Sequence, residues 1–362
     1  MDIDQYLSQK QAALDKGADR IRNFEVFDFN YVPEKPLMRE EVKPVIDALL
    51  RYQQTGIANN ILVLGSRGSG KSMLARYLMR VLSQQGQAVF AYANCRQHNT
   101  SVKILASLLG LRPRGSSLDE LWQRFENAHE GRVVFVLDEV DLISEKDRHK
   151  DILYLISRSS RNYMAVLLSN NPKFLNLLDE SIKSTLQPEI VHFRNYDATE
   201  IERILLDRAQ IGLKTTPPGT LSEIAAMTAR NTNSDVRVAI KTLYLWALEP
   251  QTAIAKHFEK ARRDIMFDVI RDLNDRNLLI LQAVLDESDG FAKDVYETYR
   301  RRSAQVHEEP FSYMHFYSNL SYLQSLGLLV LISTKVNRTY TNRIQLTFDP
   351  GILDAVWTMR FA

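Results

Sequence analysis

The stretch that most limits the fold is residues 61–72, where the apolar run Ile61-Leu62-Val63-Leu64 enters Gly65-Ser66-Arg67-Gly68-Ser69-Gly70-Lys71-Ser72. The loop has the pattern G-x-x-x-x-G-K-[ST], and Met73, Leu74, Tyr77, Leu78 and Val81 follow it at helical spacing. A strand, a phosphate loop and a helix are predicted. Glycines are needed where backbone N–H groups turn inward and approach a polyphosphate, because side chains would block that approach. Lys71 is placed to reach the β- and γ-phosphates, Ser72 to ligate Mg²⁺, and the helix beginning near Lys71 to offer its positive end to the anion. The candidate ATP/ADP cradle is therefore Gly65, Ser66, Arg67, Gly68, Ser69, Gly70, Lys71, Ser72 and Met73.

At 362 residues the chain exceeds one comfortable core, and its length predicts roughly two or three domains. No stretch approaches the ~20 uninterrupted apolar residues of a membrane span. The opening MDIDQYLSQKQ is polar and has no apolar signal core, which predicts a cytoplasmic chain with no membrane partner. Cys95 is the single cysteine, so an intramolecular disulfide and a thiolate metal cage are excluded, and Cys95 reads as a small buried residue. A net charge of +2 does not by itself mark a nucleic-acid binder. Its distribution permits a local DNA footprint: Arg300-Arg301-Arg302 and the last hairpin are basic, while acidic residues gather near the phosphate loop.

In chain order, residues 1–23 read as an amphipathic or frayed helix. Phe27–Pro36, rich in aromatics and proline, is extended; Tyr31, Val32 and Pro33 can fold over an adenine base or simply tether the N-terminus to the core. A helix runs from Arg39 through Tyr52. Strand Ala88–Ala93, a helix at Val102–Leu109 and a helix at Leu118–Ala128, capped by Ser116 or Ser117, follow. Val133 to Leu137 is an unbroken apolar strand ending in Asp138-Glu139, the Walker B arrangement. A buried parallel strand delivers Asp138 beside the phosphate loop, where it can hold Mg²⁺ through water while Glu139 polarises the attacking water. Strand Ala165–Leu168 ends in Ser169-Asn170-Asn171-Pro172; Asn170 either senses the γ-phosphate or forms the turn. Glu189–Phe193 is a further strand.

From Thr199 the pattern is helical only. Thr199 and Glu202 form a capping box opening Ile201–Gln210, and Leu221–Thr228 and Val236–Trp246 complete a small lid. Arg237 can point at the γ-phosphate or into solvent. Helical periodicity continues over 252–273, and Leu278–Leu285 starts another apolar unit. A helix at Phe311–Leu326 stops at Gly327. A strand at Leu328–Thr334, a polar tip at Lys335–Asn342 and a return strand at Arg343–Phe348 then complete a winged helix-turn-helix. Its helix, from about Ser312 to Ser325, would face a DNA major groove. Lys335, Arg338 and Arg343 would meet phosphates, and Asn337, Tyr340 and Asn342 base edges; such a module also serves protein contacts.

The order of motifs resembles the replication-initiator family of AAA+ ATPases, the archaeal proteins related to the eukaryotic origin recognition complex and its helicase-loading partner. The resemblance runs from Tyr31-Val32-Pro33 and Arg39-Glu40-Glu41 through the phosphate loop, Ala93-Asn94-Cys95-Arg96, Arg114-Gly115 and Leu137-Asp138-Glu139-Val140-Asp141. It continues in Ser169-Asn170, Lys183-Ser184-Thr185-Leu186 and Asp235-Val236-Arg237. It implies an α/β fold: an AAA+ P-loop core with a parallel sheet (1–196), a helical lid (197–266) and a C-terminal winged helix-turn-helix (267–362).

The activity implied is that of a weak ATPase that binds double-stranded origin DNA, marks replication starts and helps load the replicative helicase hexamer, possibly beside related initiator protomers. Its location would be cytoplasmic and nucleoid-associated. By the same resemblance, Asn170 is sensor 1 and Arg237 is sensor 2. Residues from about Leu105 to Arg124 match a DNA-contacting insertion, with Arg112 and Arg114 as candidates. Where the family has Leu-Asp-Pro-Arg-Val-Lys-Ser-Ser, this chain reads Leu178-Asp179-Glu180-Ser181-Ile182-Lys183-Ser184-Thr185, so Ser181 stands at the arginine-finger position. Ser234 stands where glycine is common. The alternatives are a regulatory paralogue that binds DNA and nucleotide without loading, and a non-specific clamp-loader-like AAA+ factor.

Overall fold

A computed structural model describes residues 2–5, 7, 17–113, 115–144, 147, 149–287, 290–336 and 339–361. Two compact units result, Val32–Arg194 and Met1–Tyr31 with Asn195–Ala362. Among the described residues no helix is long and apolar enough to cross a membrane.

The first unit is built on helices α1 (Val42–Thr55), α2 (Lys71–Ser83), α3 (Ser101–Leu108), α4 (Leu118–Ala128), α5 (Asp151–Arg158) and α6 (Glu180–Leu186), interleaved with strands β1 (Ile61–Gly65), β2 (Val89–Asn94), β3 (Val133–Asp138), β4 (Met164–Ser169) and β5 (Glu189–Phe193). The strands pair in parallel in the order β2-β3-β4-β1-β5. Alternate residues of a strand face opposite sides of the sheet. Leu62, Ala91, Phe135, Leu137 and Leu167 accordingly pack into one apolar layer, while Ile61, Val63, Val134, Val136 and Val166 pack into the other. Burial on both faces explains why these strands read as continuous apolar runs. Phe135 anchors the first layer, 4.9 Å from Phe125 and 5.5 Å from Tyr163 between ring centroids; truncating it to Ala would cost about 3–5 kcal/mol. Of the two serines offered as a cap for α4, Ser117 serves, in a complete capping box with Glu120.

The second unit holds α7 (Ala198–Gly212), α8 (Thr220–Asn231), α9 (Val236–Leu248) and the long α10 (Ile254–Arg271), then α11 (Asp275–Asp286), α12 (Ala292–Gln305), α13 (Tyr313–Ser325), strands β6 (Leu329–Val336) and β7 (Thr339–Leu346), and α14 (Pro350–Phe361). The capping box expected at Thr199 and Glu202 is corrected. Asp197 caps α7 and pairs with Glu200, which leaves Thr199 inside the first turn. Three helices followed by a hairpin make the winged helix. Phe316, Leu320 and Leu323 of α13 pack in one core with Leu278, Val295, Ile344 and Leu353. The polar tip expected at Lys335–Asn342 is also corrected: the ladder pairs Lys335 with Tyr340 and Val336 with Thr339, so the two strands extend into that stretch.

Candidate functional site

The carboxyl ends of β1, β3 and β4 bring the predicted phosphate-site residues together. Sheet order places β1 beside β4, with β1 leading to β2 on one side and β4 to β5 on the other, the kind of switch point at which parallel sheets bind ligands. Gly68 and Gly70 have φ of 77° and 90°, conformations that L side chains disfavour. At Gly65 a Cβ would lie 2.8 Å from the Phe193 carbonyl oxygen, so only glycine lets the loop leave β1 there. Behind the loop, the buried Arg39 donates to Ser69 O at 2.8 Å and to Arg194 O at 3.0 Å.

Lys71 opens α2 and is 7% exposed. Its Nζ donates to Gly65 O and Ser66 O, each at 2.8 Å, and to Asn170 Oδ1 at 3.0 Å. Ser72 Oγ donates to Asp138 Oδ1 at 3.0 Å, and Tyr92 OH donates to Asp138 Oδ2 at 2.9 Å. Burial raises the Asp138 pKa against the opposing pull of those two hydroxyls. A hydroxyl and a buried carboxylate that converge fit Mg²⁺ chemistry, since a hard cation takes oxygen ligands.

Glu139 adopts a left-handed φ of 53°, which turns it out of the strand. Arg96 grips it with both arms, Nε to Oε2 at 2.8 Å and an NH2 donor to Oε1 at 2.9 Å, and Arg67 lies 3.9 Å away. Burial would raise the Glu139 pKa, but these guanidiniums outweigh burial and hold it below the usual carboxylate range. Asp141 Oδ1 accepts from Ser169 Oγ at 2.7 Å and from Asn170 N at 3.1 Å, which fixes the tip of β4. Sequence reasoning assigned no role to Tyr92, Arg96 or Asp141. The legible signal for Tyr92 was a polar-tipped aromatic two residues before Asn94, whose register partner is Asp138.

Arg80 donates to Pro33 O at 2.8 Å and to Val32 O at 3.4 Å, which anchors the start of the first unit. Tyr31, in the second unit, lies under the Arg208 guanidinium, 5.1 Å from it. Arg237 is also in the second unit and is held by its N-cap neighbour Asp235, with Nε 2.9 Å from Oδ1. Ser234 takes a φ of 50°, a left-handed conformation that accounts physically for glycine being common there. Met73 is half-buried in α2. Arg112 is exposed between α3 and α4, and Ser181 is exposed at the start of α6. Ser312 caps α13 by accepting from His315 N. Arg114, Asn337 and Arg338 lie outside the described residues.

The run Arg300-Arg301-Arg302 is largely engaged with acids: Arg300 meets Glu297 at 3.7 Å, Arg301 meets Glu287 at 3.6 Å, and Arg302 is paired with Asp286. Lys335 and Arg343 are both exposed, and the register Ile332↔Arg343 and Ser333↔Asn342 puts them on opposite faces of the wing.

The family model for an AAA domain matches residues 55–178. ORC1-type DNA replication protein 15 of Haloarcula marismortui is 29% identical over 353 residues, covering 85% of each chain. The chain is similar in sequence to the archaeal ORC1-type DNA replication proteins. Its fold agrees. The Aeropyrum pernix ORC1 protein, solved in complex with DNA, superposes with a TM-score of 0.67 at 24% identity, covering 94% of this chain and 97% of that one. The A. pernix ORC2 protein, solved as ADPNP–ADP complexes, gives 0.63 at 19% identity, covering 94% and 99%. The chain thus has the AAA+ core with a parallel sheet that its motif order implied, and its second unit holds the helices and hairpin described above.

Proposed function

We propose that this chain is an ATP-regulated replication initiator that binds double-stranded origin DNA, hydrolyses ATP slowly and helps place the replicative helicase. The observation that carries the reading is the presence, in one chain, of the Lys71–Asn170 and Ser72–Asp138 cradle and a winged helix. The names of the ORC1-type relatives and the DNA complex of the A. pernix protein support it. In this reading Lys71 and the phosphate-loop N–H groups hold the β- and γ-phosphates, while a base contact by Tyr31 and Val32 is assigned from the sequence alone. Ser72 and, through water, Asp138 would hold Mg²⁺, which would supply neutralising charge at the phosphate oxygens. Asn170 orients the attacking water or the γ-phosphate, and Arg237 is assigned as a second sensor through the resemblance alone.

Slow hydrolysis is supported by Glu139. A carboxylate with both oxygens gripped by Arg96 and a depressed pKa is a weak proton acceptor. Ser181 supports a second reading, a paralogue that binds without activating a neighbour, because its short side chain brings no guanidinium to a partner's phosphate. The test is binding to a genomic fragment library with ATP, with ADP and without nucleotide, at near-physiological salt. Enrichment of a few fragments near a replication start supports the initiator; uniform, salt-sensitive binding demotes the origin claim. Full trans-activation of a Walker B mutant partner would reject the paralogue reading.

A further inference from the structure

We infer that α13 reads thymine-bearing base edges through Met314, by contact with the C5-methyl group, while the charge of the interface comes from the wing. The inference rests on the DNA-binding reading above. It starts from composition: Tyr313–Ser325 reads YMHFYSNLSYLQS and contains no Lys, Arg, Asp or Glu. Without Arg or Lys the helix cannot make the bidentate contact to guanine O6 and N7 that dominates specific readout. What remains in the major groove for an uncharged surface is the methyl of thymine, an Asn or Gln contact to adenine and single hydrogen bonds to base edges; Asn319 donates to His315 O at 2.9 Å within its own helix, and Gln324 lies in the last turn.

Geometry narrows this to one face. Phe316, Leu320 and Leu323 are fully buried and fix the inward side of α13. Met314, Ser318 and Ser321, spaced i, i+4 and i+7, lie on the opposite side. Met314 is 79% exposed and sits in the first turn, the end of a recognition helix that contacts base edges. Its unbranched, polarizable side chain adapts to an apolar knob such as a methyl group. Ser318 and Ser321 are small, so the helix backbone can approach the groove floor along this stripe. Asn342 of β7 is hydrogen-bonded to the Tyr317 hydroxyl, which joins the wing to α13. Lys335 shares the Asn342 face of the ribbon, so a phosphate contact stands beside the neutral reading face.

The test compares three duplexes of equal length by equilibrium anisotropy with the full chain: alternating dA·dT, alternating dA·dU, and alternating dG·dC. Replacing thymine with uracil removes only the methyl and leaves pairing and phosphates in place. At about 0.8 kcal/mol per buried methyl-sized group, each thymine contacted is worth about fourfold in affinity. The expected order is dA·dT tighter than dA·dU by about fourfold or more, with Met314→Ala binding the two alike. Met314 is so exposed that its replacement leaves the core untouched, and circular dichroism checks this. Equal wild-type affinity for dA·dT and dA·dU, with DNA still bound, overturns the inference and returns this face to a protein partner. Failure to bind all three duplexes overturns the DNA-binding reading itself.

Discussion

Replacing Lys71 with Met separates binding from folding, because the substitution keeps the length and apolar contacts of the stem and removes only the ammonium. In the structure that ammonium donates to two loop carbonyls at 2.8 Å and to Asn170 Oδ1 at 3.0 Å. When a nucleotide arrives, those hydrogen bonds are exchanged for bonds to phosphate oxygens, so their number roughly cancels and the charge is the net gain. One unit charge pair at about 4 Å in an effective dielectric of about 20 is worth about 4 kcal/mol. At 1.4 kcal/mol per decade this is about three orders of magnitude in Kd. The unliganded protein loses hydrogen bonds but is relieved of a desolvated cation, two opposing effects that should leave a net change in stability of about 1–3 kcal/mol. Titration with a fluorescent ATP analogue and urea unfolding measure the two quantities on one preparation. Weakening of less than about tenfold in a folded variant would refute the assignment of Lys71 as the charge on the phosphates.

Other consequences follow from the same geometry. Glu139 has a native pKa held below the usual range, so it contributes stability that is fully present above the unfolded value of 4.5 and is lost as pH falls through the lower native value. Urea unfolding should therefore show wild type more stable than Glu139→Gln at pH 7, with the gap closing as pH drops below 4.5; a constant gap would deny the Arg96 grip. Tyr92→Phe leaves Oδ2 of the buried Asp138 without its hydroxyl donor and should cost about 1.5–3 kcal/mol at neutral pH, read by urea unfolding. On the wing, Lys335 and Arg343 face opposite sides, an arrangement suited to a ribbon standing in a groove with one basic residue toward each backbone. Each Ala replacement should flatten the salt slope of DNA binding by about 0.9, and the double replacement by about 1.8, whereas an unchanged slope moves the phosphate contacts elsewhere.

The core was legible because its signals are local. A buried parallel strand announces itself as an unbroken apolar run, and the residue that follows it must sit at the carboxyl edge, which is how Lys71, Asp138 and Asn170 were placed from order alone. Errors arose where two local patterns compete. Asp197-x-x-Glu200 and Thr199-x-x-Glu202 both satisfy the capping pattern, and the chain uses the earlier one because Asp197 takes the extended backbone of a cap, with φ −82° and ψ 172°. The wing extends past the expected tip because the β-branched Thr334, Val336, Thr339 and Thr341, at alternate positions, suit a ribbon, although Thr, Lys and Asn also suggest a turn. Tyr92 and Arg96 were invisible as site residues because their partners are 46 and 43 positions away and meet them only through the register of β2 with β3. Helix α14 was passed over, although Asp349-Pro350 is a start signal: proline at the first helical position lacks an N–H that the helix could not have used.

The hydrogen bonds at the sheet edge also bear on how a bound nucleotide can be sensed. Asp141, three residues beyond Asp138, holds the tip of β4 through Ser169 and the Asn170 backbone, and Asn170 in turn accepts from Lys71. Strands β3, β4 and β1 are neighbours in the sheet, so this chain of contacts crosses three adjacent loops without leaving the phosphate edge. A phosphate that draws Lys71 toward itself must take the ammonium from Asn170 Oδ1. The Asn170 backbone is pinned by Asp141, so the loss falls on the side-chain amide rather than on the strand. In the proposed reading, sensing at this site would be a rotation of one amide on a fixed backbone. That confines the response to the atoms that touch the phosphate and requires no movement of the sheet.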